Sequence, residues 1–305
     1  MNVDRLLGFG DDALVAAQRL AEWHASSPEM EEDIALANIA LDQLGAARLL
    51  LTYAGEVEGR GRDEDALAFL RDDREFRNCL LVELPNGDFA TTMAKLLFLS
   101  AYQLPLYTKL AGLSGHENAG RLAGPPHRDD AGRLAGPPRR EDAGREDASR
   151  ADAGSAGPPH PEDAGLADSA GPAGPAGGGD AGPAGSGEGE RLAAIAAKAR
   201  KESAYHLDHS AQWTIRLGDG TEESHRRMQD AVDALWPYTH ELTSGEVSRD
   251  EWLSIVEPVL AEATLDRPAD GWAPGGGRSG VHTEHLSYLL GEMQVLHRAH
   301  PGARW

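Results

Sequence analysis

The sequence predicts an all-α protein, a bundle of long helices joined by turns. Apolar residues recur every three to four positions over long stretches, and Gly and Pro are rare inside those stretches. No alternating apolar and polar segment flanked by turns indicates a strand. The clearest helix covers residues 192–217, which lack Gly and Pro and are rich in Ala, Leu, Lys, Arg and Glu.

The first two helices are predicted near the N-terminus. Asp11 or Asp12 is suited to cap the first, because a side-chain oxygen there accepts from the free backbone N–H groups of a helix start. The second is expected from Met30 to a C-cap at Gly55. It is apolar on most sides, which predicts that other helices surround it.

Two further long helices, residues 88–113 and residues 192–217, complete a four-helix bundle. Residues 63–70 form a short capped helix, and residues 88–113 form a long apolar one with a kink at Pro105. The helix at 192–217 is the fourth long helix. It follows a low-complexity segment, residues 115–189, in which a twelve-residue unit rich in Ala, Gly and Pro recurs.

Residues 115–189 are predicted to be a disordered insertion within one helical domain made of residues 1–114 and 190–305. The insertion has almost no large apolar side chain and therefore cannot build a core. Because loop-closure entropy grows with the logarithm of length, a loop of this size costs roughly 2.5 kcal/mol more than a short turn. A packed bundle tolerates that cost.

Additional helices are expected after residue 217. A fifth is predicted over residues 222–242, and a sixth begins at a capping box formed by Ser248 and Glu251. Residues 269–280 are predicted to be a flexible connector. The final amphipathic helix has an apolar stripe that comprises Leu286, Leu289, Leu290, Met293 and Leu296.

Charge and cysteine content restrict the class of protein. The formal net charge of −21 argues against nucleic acid or an anionic membrane as a partner. Cys79 is the single cysteine, which excludes an intramolecular disulfide and favours a reducing cytoplasm. The N-terminus does not resemble a signal peptide, and no apolar run approaches the ~18 residues of a membrane span. We expect a cytoplasmic, soluble protein.

The fourth long helix places polar residues on one face. Glu202, His206 and His209 lie three and four residues apart, so they form a polar stripe. Metal sites inside helical bundles use a Glu-x-x-His pair on each of two helices and a carboxylate from each of two others. Here the residue three positions after Glu202 is Tyr205, and the histidine comes one position later.

Several stretches together resemble a known family, the C subunits of bacterial ring-1,2-phenylacetyl-CoA epoxidases. The resemblance covers nearly the whole chain outside the insertion. It is carried by FGDDAL (9–14), EDIALANIALDQLGAARLLL (32–51), REFRN (74–78), ELPNGDFA (83–90), AIAAKARKESAYHL (194–207), RLGDGTEES (216–224) and the HTEHL, YLLGEMQ and L pattern of residues 282–296.

The resemblance implies a ferritin-like bundle in a multicomponent monooxygenase of aerobic phenylacetate degradation. A homologous A subunit would carry the di-iron centre and epoxidise phenylacetyl-CoA, and a reductase subunit would supply electrons from NADPH. The C subunit would be structural, with no catalytic residue and no metal or other cofactor of its own.

The ligand residues support this interpretation. A di-iron site needs about four carboxylates and two histidines from four helices. The second helix offers only Asp42-x-x-Gly45, and the middle of the third has Ser100 and Gln103 in place of glutamate. We therefore expect a degenerate site, in which Asp42, Glu202 and His206, with Arg48 and Lys201 as further candidate members, form a buried, charge-paired polar network.

A contact with the CoA part of the substrate is expected near Arg71, Arg74 and Arg77. Arginine suits phosphate groups, and an acidic chain needs local neutralisation to admit an anionic substrate. The alternative is that these arginines pair with nearby acids on a helix surface. The residues predicted to contact CoA are Glu75, Phe76, Arg77 and Asn78.

Binding is the expected role, with two alternatives from other classes. The predicted second and third long helices should present a partly uncovered apolar face to the catalytic subunit, and the isolated chain should form a homodimer through it. One alternative is a self-sufficient di-iron oxygenase, and the other is a ferritin-like protein unrelated to CoA substrates. Iron content after anaerobic purification distinguishes the binding role from the self-sufficient di-iron oxygenase.

Overall fold

The computed structural model describes residues 2–112 and 186–303, with side chains of the second range described from residue 189. Every regular element in these ranges is helical, which confirms the predicted all-α fold. The long helices are α1 (Val3–Ala21), α2 (Met30–Glu58), α5 (Phe89–Ala111), α6 (Ser186–Gly218), α7 (Glu222–Leu235), α8 (Arg249–Glu262) and α9 (Glu284–Ala299). The predicted disordered insertion, residues 115–189, lies outside the described residues apart from the first turn of α6.

Shorter helical elements connect the bundle. Two are α-helices, α3 (Glu64–Phe69) and α4 (Leu80–Glu83), and three are 3₁₀ turns at Asp73–Glu75, Trp236–His240 and Gly277–Ser279. The predicted fifth helix ends early at Leu235, because Pro237 is the second residue of the turn that follows and this turn is 3₁₀. Residues 269–280, predicted to be a flexible connector, contain the turn Gly277–Ser279, which is fixed by hydrogen bonds to Glu241.

The four helices predicted to form the bundle, α1, α2, α5 and α6, pack as two pairs. α1 lies along α2 and α5 lies along α6, while α2 also contacts α6, and α7 and α8 pack on α5. α5 is the central helix, since it is buried on nearly all sides along its length. This arrangement corrects the prediction that α5 contributes to an exposed apolar face.

Two predicted helix ends differ from the observed ones. α1 is capped by Asn2, and Asp11 and Asp12 lie buried in its interior. α2 continues past Gly55 and ends at Gly59. Gly59 has a left-handed backbone with φ of 69°, a conformation that glycine adopts readily at the end of a helix. Gly55 is instead a point of close packing, because a Cβ there would lie 2.1 Å from the carbonyl oxygen of Arg62.

Part of α2 faces away from the rest of the described chain. The sequence predicted that other helices surround it, but Ile34, Leu41 and Leu44 are exposed. By length and composition α2 is also the one helix among the described residues that would suffice to cross a membrane, contrary to the prediction that no run approaches that length. Its contacts with α1 and α6 make it a helix of the bundle core with one free side.

Candidate functional site

The centre of the bundle holds a pair of glutamine side chains. Gln43 on α2 and Gln103 on α5 are both buried and donate to each other, with Nε2–Oε1 distances of 2.8 and 2.9 Å. Each amide therefore acts as donor and acceptor for the other. The pair joins two helices through uncharged groups at the level where a bundle metal site would lie.

His206 on α6 extends this pair to a third helix. Its Nδ1 lies 3.4 Å from Nε2 of Gln43, and its Nε2 lies 3.1 Å from Oδ2 of Asp42. Because an amide N–H faces Nδ1, the ring proton belongs on Nε2, where it is donated to Asp42. Burial lowers the pKa of His206, so the ring is neutral at pH 7.

The predicted network is brought together only in part. Asp42 and His206 are in contact, whereas Glu202 pairs with Lys198 one turn earlier on the same helix, at 2.8 Å. Arg48 is exposed and pairs with Glu64. The two glutamines, which were not predicted as members, supply most of the hydrogen bonds.

These residues do not fit a di-iron centre. Hard iron ions need several carboxylates around the centre, and here two amides and one imidazole take that place. Within residues 2–112 and 186–303, no group of three or more His, Cys, Asp or Glu side chains is placed to hold a metal ion. Tyr205, at the position of a ligand histidine, is largely exposed.

A second histidine on α6 also meets a carboxylate of α2. Nε2 of His209 lies 3.3 Å from Oε2 of Glu32, and both atoms are buried. Burial lowers the pKa of His209 as well. Neither this pair nor the one formed by His206 assembles a third ligand.

The segment predicted to contact CoA is largely interior. Phe76 and Asn78 are both 0% exposed, and the guanidinium carbon of Arg71 lies 4.1 Å from the centre of the Phe76 ring. Asn78 donates to Oε1 of Glu83 at 2.9 Å. Glu75 is exposed and closes a capping box with Asp72, since it accepts from the Asp72 backbone N–H at 3.0 Å.

Arg71 and Arg77 occupy different environments. Arg71 is buried and forms a two-pronged ion pair with the buried Asp11, so it is not a surface arginine. Arg77 is only partly buried, and its guanidinium donates to the carbonyl oxygens of Arg74 and Phe76 at 2.8 Å. The carboxylate of Asp4 lies 3.9 Å from it.

Three further buried carboxylates tie the segment of residues 71–86 to the segment of residues 276–283, and one of them, Asp12, also joins both segments to α1. Asp12 accepts from Arg278 at 2.6 Å and from the backbone N–H of Cys79 at 2.7 Å. Burial raises the pKa of Asp12, while the Arg278 charge opposes that shift. Glu241 accepts three backbone N–H groups, those of Leu80, Gly276 and Arg278.

The third buried carboxylate, Glu83, pairs with His282. Nδ1 of His282 lies 2.5 Å from Oε1 of Glu83, and its Nε2 lies 3.0 Å from the carbonyl oxygen of Phe76. Both ring nitrogens face acceptors, so the ring is an imidazolium. Burial opposes that charge, but the hydrogen bond and charge of Glu83 prevail and the pKa of His282 is raised.

An apolar stripe runs along the free side of α2. Exposed or half-exposed apolar residues recur at alternating steps of four and three residues, as they do along the contact line of two packed helices. Leu41 is 64% exposed and Ile34 is 57% exposed. The members of this α2 stripe are Met30, Ile34, Ala37, Leu41 and Leu44.

The fold and its centre define a class of protein: an all-α, ferritin-like bundle with a polar network of two amides, an imidazole and a carboxylate at its centre. Comparison with known proteins identifies the family. The chain matches the family described as phenylacetic acid catabolic protein over residues 2–122, 185–248 and 244–305. It is 36% identical over 315 residues to the C subunit of the 1,2-phenylacetyl-CoA epoxidase of Escherichia coli (strain K12), covering 98% of this chain and 97% of that protein. The chain belongs to this family, and a role in phenylacetate catabolism follows.

Proposed function

We propose that this chain is a non-catalytic subunit of a multicomponent 1,2-phenylacetyl-CoA epoxidase, and that it supports a homologous catalytic subunit. The observation that carries this proposal is the centre of the bundle. Gln43, Gln103 and His206 hydrogen-bond there as uncharged groups, and Asp42 is the one carboxylate in contact with them. A centre of that kind offers a divalent or trivalent iron neither the charge nor the oxygen ligands that it needs.

The chemistry would belong to the partner. A di-iron centre in the homologous A subunit would activate dioxygen, and a reductase subunit would deliver electrons from NADPH. The likeness to an epoxidase subunit and the absence of a converging ligand group among the described residues support this division of labour. This chain would have no cofactor of its own.

The α2 stripe is the face that we propose for the catalytic subunit. Its spacing suits a helix of the partner, and a homologous bundle would offer its own long helix in the same way. The groove between α1 and α2 adds further apolar surface, because Leu36, Ala40, Leu41 and Leu44 line a cavity of about 280 Å³ with Trp23. Covering this surface would stabilise both subunits.

Co-expression with the neighbouring open reading frames tests the face. Leu41→Arg places a charge at the middle of the α2 stripe and should abolish recovery of the catalytic subunit in a pull-down. Trp272→Arg is the control, since Trp272 is an exposed aromatic residue in a different part of the chain. Recovery of the partner by the Leu41→Arg variant, or its equal loss in both variants, would contradict the proposed face.

Iron content tests the alternative of a self-sufficient di-iron oxygenase. Purified alone under anaerobic conditions, the chain should contain no stoichiometric iron and show no oxo-bridged diferric absorption. About two irons per chain, with activity lost in an Asp42→Ala variant, would favour the alternative instead. This measurement does not depend on the docking face.

The contact with CoA that we propose involves Glu75 and Arg77, the two accessible residues of the predicted four. Among the described residues the Arg77 guanidinium donates to carbonyl oxygens and has the Asp4 carboxylate at 3.9 Å, so a phosphate would be a stronger acceptor for it. Phe76 and Asn78 would support this segment from the interior.

Substitution of Arg77 tests the contact in the assembled complex. Arg77→Glu should raise KM for the CoA thioester by about tenfold, the equivalent of one lost charge-assisted contact, and leave subunit association intact. Arg74→Glu is a matched control on the same exposed segment. An unchanged KM, or loss of the complex, would leave Arg77 with a structural role only.

A further inference from the structure

A cavity of about 200 Å³ lies between α1, α5 and residues 241–246, which follow the turn Trp236–His240. An apolar cavity of ~150 Å³ is large enough to hold benzene, so this one has room for a ring with one small substituent. It shares no lining residue with the groove beside the α2 stripe or with the network of Gln43, Gln103 and His206. It is therefore a separate feature of the bundle.

The charged groups in the wall of this cavity already have partners. Arg278 donates to Asp12 at 2.6 Å and to two backbone carbonyl oxygens at 3.0 Å. Glu241 accepts the three backbone N–H groups described above. At the outer edge, Arg5 pairs with Glu246 at 2.9 Å. None of these four lining residues needs a charged ligand to satisfy it.

Tyr102 is the polar residue of the wall whose hydrogen bonding is incomplete. It is 3% exposed and lines the cavity from α5. Its oxygen lies 3.5 Å from Nη2 of Arg278, but among the described residues no acceptor lies within hydrogen-bond distance of its own O–H. Burial raises the pKa of Tyr102 well above its usual value, so the hydroxyl keeps its proton at pH 7. Because a buried donor without an acceptor is costly, an occupant that supplies an acceptor is favoured.

The charges around the cavity select against an ionic occupant. Four carboxylates and two guanidinium groups line it or stand directly behind its wall: Asp4, Asp12, Glu241, Glu246, Arg5 and Arg278. The excess of carboxylates repels an anion. A cation would lie beside the Arg278 guanidinium and would bring no acceptor to Tyr102. The remaining wall includes the apolar side chains of Phe9 and Leu242, which favour an apolar body.

We propose that this cavity binds a small uncharged molecule with a carbonyl oxygen that accepts from the Tyr102 hydroxyl and an apolar body, about the size of a benzene ring, that packs on Phe9 and Leu242. Occupancy would also strengthen the attachment of Arg278 to α1, because Arg278 forms part of the wall. The proposal does not depend on the proposed function, since no residue assigned to the catalytic subunit or to CoA lines this cavity.

Three probes of nearly the same shape test the charge selection: benzamide, which is neutral, benzoate, which is an anion, and benzamidine, which is a cation. Titration calorimetry of the full chain should give a Kd of about 1 mM for benzamide, in the range expected of so small a ligand. Benzoate and benzamidine should bind at least tenfold more weakly. Equal binding of the three probes, or no binding of benzamide at about 20 mM, as expected of a cavity that holds only water, would overturn the proposal.

Two variants test the position of the site. Tyr102→Phe should raise the Kd for benzamide about fivefold, the equivalent of one hydrogen bond, whereas Tyr288→Phe on the exposed side of α9 should leave it unchanged. Gly245 lines the cavity, and a Cβ added to it would meet only Nη2 of Arg5, at 3.7 Å. Gly245→Leu should therefore fold normally and abolish binding by filling the space. Unchanged affinity in both Tyr102→Phe and Gly245→Leu would place the probe elsewhere and refute the assignment.

Discussion

Replacing Gln103 by leucine removes one half of the amide pair at the centre of the bundle. Gln43 then keeps its contact with Nδ1 of His206 but loses the donor to its Oε1 and the acceptor of its second N–H. A buried polar group left without a partner costs about 1–3 kcal/mol. Gln103→Leu should therefore lower the free energy of unfolding by about 2–5 kcal/mol.

Gln43→Leu should be the more harmful of the two single changes. It leaves both polar atoms of Gln103 unpaired and also removes the donor that faces Nδ1 of His206. Three groups are affected instead of two, which predicts a loss of about 3–8 kcal/mol. The order of the two variants is a direct consequence of which glutamine contacts the histidine.

The double variant should be more stable than either single variant. With both amides replaced by leucine, only Nδ1 of His206 remains unpaired, and the expected cost is about 1–3 kcal/mol. The two substitutions are thus strongly coupled, as expected for residues that share hydrogen bonds.

Urea unfolding of the wild type, the two single variants and the double variant at pH 7 measures these free energies. The urea concentration at the midpoint should change, whereas the dependence of the free energy on urea concentration should stay constant. The paired-amide geometry would be refuted if the double variant lost the sum of the two single-variant losses in the free energy of unfolding. It would also be refuted if Gln103→Leu were less stable than Gln43→Leu. Matched substitution of the exposed Gln212 by leucine controls for the loss of an amide on α6 outside this centre.

Two predictions concern the buried charges near α1. Arg71→Met should cost about 3–5 kcal/mol by urea unfolding, because Asp11 is left buried and uncompensated, and adding Asp11→Asn should recover part of that loss. His282 has a raised folded-state pKa, so its stabilisation is complete below about pH 6.5 and is lost as pH rises through that higher pKa. A His282→Gln variant should lack this fall in stability between pH 6.5 and 9, and an identical pH profile in both proteins would contradict the imidazolium assignment.

The helices themselves were predictable because they depend on local patterns. Periodicity placed α2, α5, α6 and α9, and caps at Asp88 and Ser248 are found where the sequence indicates helix starts. These signals lie within one or two turns of the residues they determine. Contacts between residues that are far apart in the sequence produce no comparable local pattern.

Asp11 and Asp12 illustrate the limit. Next to a predicted helix start an aspartate is a reasonable cap, but their partners are Arg71 and Arg278, 60 and 266 residues away. Only the folded chain brings these charges together. The same reason explains why the sequence predicted a flexible connector where Arg278 is anchored.

The bundle centre was predictable to a similar degree. The sequence analysis placed Asp42 and His206 in one network, and these two side chains are in contact. Gln103 was noted only as a residue in place of a glutamate ligand, and Gln43 was not singled out, because an uncharged amide on a long apolar helix is equally consistent with an exposed position. Their pairing depends on the relative height of α2 and α5, which no local pattern determines.

The placement of charge in this chain offers a physical reason why the bundle can fold without a metal ion. A di-iron centre ties four helices together and must be surrounded by several carboxylates, which repel one another when the metal is absent. Here the central groups are two amides and an imidazole with one carboxylate, Asp42, beside them. The buried carboxylates Asp11, Asp12 and Glu83 lie elsewhere, each with a cationic partner. The helices are thus joined by contacts that persist in the free chain. If the proposed function holds, such a subunit would offer a preformed face to its catalytic partner.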